Sequence, residues 1–307
     1  MSVSVSAFTR SDVLFPSGDG RCAAWLYEPD ASALATIVMA HGFAGVRRLR
    51  LNAYAERFAA VGYRVVLFDY RHFGDSPGEP RQLLDIDRQL DDWRSALTYA
   101  RSLPGGPDAR RIVLWGTSLG GGHVLTTAAR DHEVAAVVAQ VPHVSGVAAA
   151  RSVGPVQSAR LTTLALLDLV RGATGRSPHY IAAAGAPGEI AAMTTPDALP
   201  GMQTLIEQSN IGREIDPTEL MVSARVILRI ARYSPGRTAN AISCPVLVQI
   251  ATRDTITPTH VAERAARRIP RVTVKLYELA HFDPYVEPSF ETVVADQLAF
   301  LADALRE

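Results

Sequence analysis

Only two cysteines, Cys22 and Cys244, occur among the 307 residues. That is too few for a disulfide framework or a cysteine-based metal site, and each falls beside or within an apparent strand, which predicts buried thiols. An excess of charge of one sign is also lacking: 31 Lys plus Arg balance 31 Asp plus Glu. No overall field therefore recruits nucleic acid or an anionic membrane, and neither is expected as a partner. No apolar run approaches the roughly 20 residues of a membrane helix, and Met1 to Asp12 lacks the basic-then-apolar pattern of an export signal. The expected location is cytoplasmic. His, Asp and Glu do not cluster at metal-ligand spacing, and there is no phosphate loop, dinucleotide fingerprint, internal repeat, low-complexity tract or interdomain linker. No metal or cofactor is expected. What the chain has is apolar residues, 48% of the total, ample for one large α/β domain or two ordinary ones.

Apolar runs of strand length alternate with helical patterns. Val13 to Phe15 and Arg21 to Tyr27, separated by Pro16-Ser17-Gly18-Asp19-Gly20, predict an edge hairpin. Ala35 to Ala40 predicts a buried strand that ends in the glycine-rich loop His41-Gly42-Phe43-Ala44-Gly45. Leu51 to Val61 predicts a helix, and Tyr63 to Phe68 the next strand. From Ile86, the residues Leu90, Trp93, Leu97 and Ala100 recur at helical spacing until Pro104-Gly105-Gly106-Pro107. Ile112 to Trp115 and Val134 to Val141 predict two further buried strands. After a long gap the pattern resumes with Pro245 to Ile250, a helix opened by Thr257 as N-cap with Pro258 at its first position, Val272 to Tyr277, and a closing helix carrying Phe290, Val294, Leu298, Leu301 and Leu305. Strand and helix in alternation imply a mainly parallel sheet covered on both faces.

The rhythm breaks for about a hundred residues, Val144 to Ser243, far beyond the usual short connection. Leu161 to Val170 predicts a helix; Leu220, Ala224, Ile227 and Ala231 mark another helical face. Tyr180 to Ala184 and Glu189 to Met193, around Gly185-Ala186-Pro187-Gly188, suit a hairpin or a paired loop. This segment is expected to form a cap, with a purely structural second layer as the alternative. The boundaries are 1–143 and 244–307 for the core and 144–243 for the cap.

One stretch organises the rest. Ile112 to Val124 sets Ser118 between a buried strand and a helix, flanked by Gly116 and Gly120 in a Gly-x-Ser-x-Gly pattern. Such a turn strains the serine backbone and lifts its hydroxyl clear of the sheet edge. Serine is a weak nucleophile at neutral pH and needs a base, and imidazole has a suitable pKa. His281 follows the last strand and fits that role. The imidazole in turn needs a carboxylate at its far nitrogen, and Asp254, in the loop after Ile250, is chosen for it. Two backbone amides, Phe43 from the first glycine-rich loop and Leu119 after the serine, are expected to stabilise developing negative charge.

With His41-Gly42-Phe43, Gly116-Thr117-Ser118-Leu119-Gly120, Asp254 and His281 in that order, the chain resembles the α/β-hydrolase superfamily. The resemblance implies an α/β-hydrolase fold: a mainly parallel eight-stranded sheet flanked by helices, with an inserted cap subdomain. Phe68-Asp69-Tyr70-Arg71, followed by Gly74 and Ser76, is similar to bacterial serine hydrolases of the esterase and dienelactone-hydrolase-like kind. The expected activity is cleavage of a small or medium-sized ester, thioester or amide through an acyl-enzyme. Acyl transfer or cyclisation by the same triad, and a non-catalytic ligand receptor, are the alternatives. An apolar cap surface could pair two subunits in a homodimer.

Other residues compete. His41 is expected to shape its own turn, His123 to point away from the serine, and His72 to be structural. His143, at the end of the strand beside the serine's strand, is a candidate substrate contact. Asp283, two residues after His281, is poorly spaced to orient it. Asp69 and Asp75 are expected to pair locally with Arg71. The nine arginines between Val144 and Ser243 show no spacing pattern and receive no role.

Overall fold

Eight strands form one sheet in the order β1 (Phe8–Ser17), β2 (Gly20–Pro29), β4 (Arg64–Phe68), β3 (Thr36–Ala40), β5 (Ile112–Thr117), β6 (Ala136–Gln140), β10 (Val246–Ala251) and β11 (Val272–Tyr277). The structure, a computed structural model, describes residues 7–104, 111–209 and 215–306. The elements before the long gap are β1 (Phe8–Ser17), β2 (Gly20–Pro29), β3 (Thr36–Ala40), α1 (Leu51–Ala60), β4 (Arg64–Phe68), α2 (Ile86–Ser102), β5 (Ile112–Thr117), α3 (Leu119–Ala128) and β6 (Ala136–Gln140). The sheet is antiparallel only at β1/β2 and β2/β4, and parallel from β4 to β11. The edge hairpin is longer than its apolar residues indicated, because β1 keeps a full ladder with β2 from Phe8 to Ser17. Strands β3, β4, β5 and β6 are buried at every position. That accounts for their unbroken apolar runs, since helices cover both faces.

Helix α2 opens with Asp85, whose carboxylate accepts from the amides of Asp87 and Arg88, a side-chain cap that satisfies two otherwise orphaned donors. Its end at Ser102 precedes the expected stop; Gly105-Gly106-Pro107 lie outside the described residues. The two faces of the sheet carry separate cores: Trp93 and Phe68 lie on one side, Trp115 and Tyr54 on the other.

Between β6 and β10 lie α4 (Gly146–Ser152), α5 (Pro155–Ala173), β7 (Tyr180–Ala184), β8 (Ala191–Met193), α6 (Ala198–Glu207), β9 (Met221–Ser223) and α7 (Val226–Ile230). Two expectations are corrected. The segments around Gly185 to Gly188 pair in parallel, Ala182 with Ala191 and Ala184 with Met193, not as a hairpin. The loop doubles back first, held by Ala186 N–H on the Glu189 carboxylate and Gly185 N–H on the Met193 carbonyl. Nor is Leu220 to Ala231 one helix, because Met221 to Ser223 are drawn into an antiparallel ladder with β7. Helix α7 can start only beyond Arg225, whose amide and guanidinium both donate to buried Asp168.

The chain returns through β10 (Val246–Ala251), α8 (Thr259–Ala266), β11 (Val272–Tyr277) and α9 (Ser289–Ala304). Helix α8 begins one residue later than the Thr-Pro pattern implied, with Pro258 outside it and no side-chain cap. The Thr257 hydroxyl is engaged by Asp254. Among the described residues no helix is long and apolar enough to cross a membrane.

Candidate active site

Ser118 sits where β5 turns into α3, with φ 54° and ψ −119°. A non-glycine residue at positive φ carries about 1–3 kcal/mol of strain, which only a well-supported turn sustains. The support is visible. Ser118 N–H donates to the Gln140 carbonyl at 2.9 Å, and the Ser118 carbonyl accepts from His143 N–H at 2.8 Å and Gly122 N–H at 3.1 Å. The glycines around it make room. A Cβ on Gly120 would lie 2.5 Å from the His41 carbonyl, one on Gly116 2.3 Å from the Gly120 carbonyl, and one on Gly42 2.8 Å from the Ser118 Cβ. Each is closer than non-bonded atoms approach, so these three positions accept only glycine without a backbone shift.

Ser118, His281 and Asp254 come from three loops at the C-terminal edge of the sheet and meet there. His281 Nε2 lies 3.0 Å from Ser118 Oγ, and His281 Nδ1 lies 2.6 Å from Asp254 Oδ2. The tautomer follows from the partners: an ionised carboxylate only accepts, so Nδ1 carries the proton, and Nε2 is left to accept from the serine hydroxyl. Burial pushes the Asp254 carboxyl up, but the His281 ring and hydrogen bonds from Thr257 outweigh it, and the group is held below the usual carboxylate range. Asp254 also accepts from Ile256 N–H and from the Thr257 amide and hydroxyl. With its oxygens so occupied, the carboxylate is fixed in the orientation that meets the ring.

Asp283 does not compete, because its carboxylate accepts from Ala280 N–H and so shapes the loop that carries His281. His41 Nδ1 donates to the Gly42 carbonyl at 2.9 Å, and His72 Nδ1 donates to the Pro80 carbonyl. His123 bridges Tyr233 and Gln89; burial pushes it down to about 3, so it stays neutral. His143 donates from Nε2 to the Tyr233 carbonyl at 3.3 Å, and burial pushes it down to about 4. It lies in the wall of the larger cavity beside Ser118. The amides of Phe43 and Leu119 meet no acceptor among the described residues.

The expected pairing of Arg71 with Asp69 and Asp75 is corrected. Arg47, from the loop after β3, lies 3.0 Å from Asp69 and 2.9 Å from Asp75, whereas Arg71 reaches Asp92 on α2 and Asp19 in the edge hairpin. Each arginine has one buried carboxylate beside it, Asp69 for Arg47 and Asp92 for Arg71, and one exposed one, Asp75 and Asp19. Arg47 thereby ties the Phe43 loop to the loop after β4.

Several contributors went unnoticed in the sequence. Thr257 was expected only as a helix cap, whereas its hydroxyl holds Asp254. Beneath the serine, Gln297 donates to Gln140 at 2.9 Å and to Gln249 at 2.6 Å and accepts from the Trp115 indole. Thr117 joins this buried network through Gln140 and through the Tyr285 hydroxyl. Three glutamines on β6, β10 and α9 are individually unremarkable; only pairing of the strands brings them together. Fully satisfied networks of this kind hold a core in one arrangement.

Two cavities open on Ser118. The larger, about 510 Å³, runs beneath α4, α5 and α7 and is lined mainly by apolar and small residues such as Ala149, Val153, Leu161, Ile227 and Ala231. The smaller, about 40 Å³, lies between the Phe43 loop, α6 and the loop carrying His281, walled by Met202, Leu205 and Tyr285. Phe43 and Met193 border both. No group of three or more His, Cys, Asp or Glu that could hold a metal ion occurs among the described residues.

Residues 31–184 match the family described as serine aminopeptidase, S33 (Hydrolase_4). The chain is 45% identical over 292 residues to the quorum-quenching protein AidA of Acinetobacter baumannii, covering 94% of this chain and 93% of that one. It is 33% identical over 186 residues to the polyketide transferase ATR5 of Stachybotrys chlorohalonatus, 60% of each chain. The α/β hydrolase GrgF from Penicillium sp. sh18 superposes with a TM-score of 0.81 at 24% identity, covering 97% of this chain and all of that one.

Proposed function

The chain belongs to the serine aminopeptidase S33 family of α/β hydrolases, and from that premise we propose a serine hydrolase that cleaves a carboxylic ester or thioester through an acyl-enzyme. The observation that carries the reading is the unbroken line Ser118 Oγ, His281 Nε2, His281 Nδ1, Asp254 Oδ2, with steps of 3.0 and 2.6 Å.

His281 takes the Ser118 proton as the oxygen attacks the carbonyl carbon. The carbonyl oxygen becomes negative and is met by the amides of Phe43 and Leu119, a kind of contact worth about 3–4 kcal/mol per donor in the transition state. Asp254 stabilises the imidazolium without taking its proton. His281 then returns the proton to the departing oxygen or sulfur, leaving the acyl group on Ser118. Water, deprotonated by the same ring, releases the acid.

A second reading, transfer of the acyl group to an alcohol, amine or thiol instead of water, is favoured by the apolar cavity beside the serine and by the resemblance to a polyketide transferase. The quorum-quenching relative makes diffusible signals that carry an acyl bond reasonable compounds to screen. Acid release from alkyl esters, measured for the wild type and for Ser118→Ala with and without a competing acceptor, tests both readings. Hydrolysis is expected from the wild type alone. Acceptor-bound product in place of acid would move the assignment to transfer, and equal turnover by the variant would end both.

A further inference from the structure

The two cavities that meet at Ser118 differ more than tenfold in volume, about 510 against about 40 Å³. A tetrahedral intermediate on Ser118 carries two diverging substituents, the acyl chain and the leaving group, so the cavities must divide them. His281 decides which goes where. Its Nε2 is the nitrogen that faces Ser118 Oγ, and the departing heteroatom has to come within hydrogen-bond reach of it to be protonated. His281 forms part of the wall of the small cavity and is absent from that of the large one.

We propose that the large cavity binds the acyl chain and the small one the leaving group, making the preferred substrate class medium-chain acyl esters of very short alcohols or thiols. This assignment rests on the hydrolase reading above. The small cavity has less than a tenth of the space of the large one, so it suits the shorter of the two substituents, a small alkyl group. Its walls do not yield easily. Met202 and Leu205 are both nearly inaccessible, and a Cβ on Gly201 of the same helix would lie 2.5 Å from the Phe282 ring, so α6 is seated directly against the residue that follows His281. The large cavity is walled mainly by alanine, leucine and isoleucine side chains, with serines and threonines among them, and has ample space for an eight-carbon chain. Phe43 and Met193, bordering both cavities, partition them.

Ethyl octanoate and octyl acetate are constitutional isomers that place the same eight-carbon chain on opposite sides of the ester. The expected result is a kcat/KM at least tenfold higher for ethyl octanoate. Leu205→Ala, which widens the small cavity, should narrow that ratio several-fold, and Met202→Ala offers the same reading if the first variant folds poorly. Equal rates, or a preference for octyl acetate, in a wild-type reaction that Ser118→Ala abolishes would overturn the assignment while leaving the hydrolase standing. Turnover that survives Ser118→Ala would remove the hydrolase reading and this one with it.

Discussion

The floor and the roof of this site are built on different principles. The floor, β5 and β6 with α3 between them, is held by backbone ladders and by glycine contacts with no slack, and it carries Ser118 in a strained but unique conformation. The roof, from α4 to α7, is made of short elements, including two strands of three residues, tied by a few side chains such as Asp168. The proposed mechanism demands close placement of Ser118 against its base, and the serine is mounted where the backbone is over-determined, while His281 and Asp254 are brought to it by the loops after β11 and β10. The roof supplies most of the wall of the larger cavity.

Mutations should separate the two. Ser118→Ala is expected to lower kcat/KM for an ester by roughly 10⁴-fold or more, since removing a nucleophile of this kind leaves only binding and oxyanion contacts; thermal unfolding should show the fold intact. Asp254→Asn should follow with a loss of about 10³ to 10⁴ in kcat, because the amide permits the wrong imidazole tautomer. The roof answers differently. Asp168→Ala leaves Arg225 and two amides unpaired and should destabilise the protein by about 3 kcal/mol. Limited proteolysis should then cut first within the roof while Ser118 still reacts; simultaneous loss of Ser118 reactivity would erase the distinction. Smaller still, Thr257→Val removes one hydrogen bond from Asp254 and should cost about tenfold in kcat.

Acid probes the loop after β10, which brings Asp254 to His281. The Asp254 carboxyl is held below its ordinary value of 3.8. Its contribution to stability is complete above that ordinary value and disappears as pH falls through the lower folded one. Unfolding temperature measured below about pH 4 should therefore fall more steeply in the wild type than in Asp254→Asn. Parallel slopes would show that the carboxylate is not differentially stabilised.

The same division governs what could be read in the residues. Ile112 to Trp115 and Val246 to Ile250 announce themselves because strands buried on both faces need uninterrupted apolar runs, and that Ser118, His281 and Asp254 meet at one sheet edge was legible from their positions after strands. In the roof, Met221 to Ser223 became a strand through pairing with Tyr180 to Ala182, a partner some forty residues distant that no local pattern marks. Thr257 matched a helix cap by type and by its proline neighbour, yet Asp254 competes for the same hydroxyl and takes it. Arg47 and Arg71 illustrate the limit for charge: which carboxylate each meets depends on which loops the sheet brings together, not on distance along the chain.

The most direct measurement is the intact mass of the protein after incubation with a fluorophosphonate, followed by peptide mapping. A serine activated by His281 and Asp254 should give a single adduct on Ser118, absent in Ser118→Ala and formed far more slowly in His281→Ala. An unmodified protein, or an adduct on another residue, would contradict the triad.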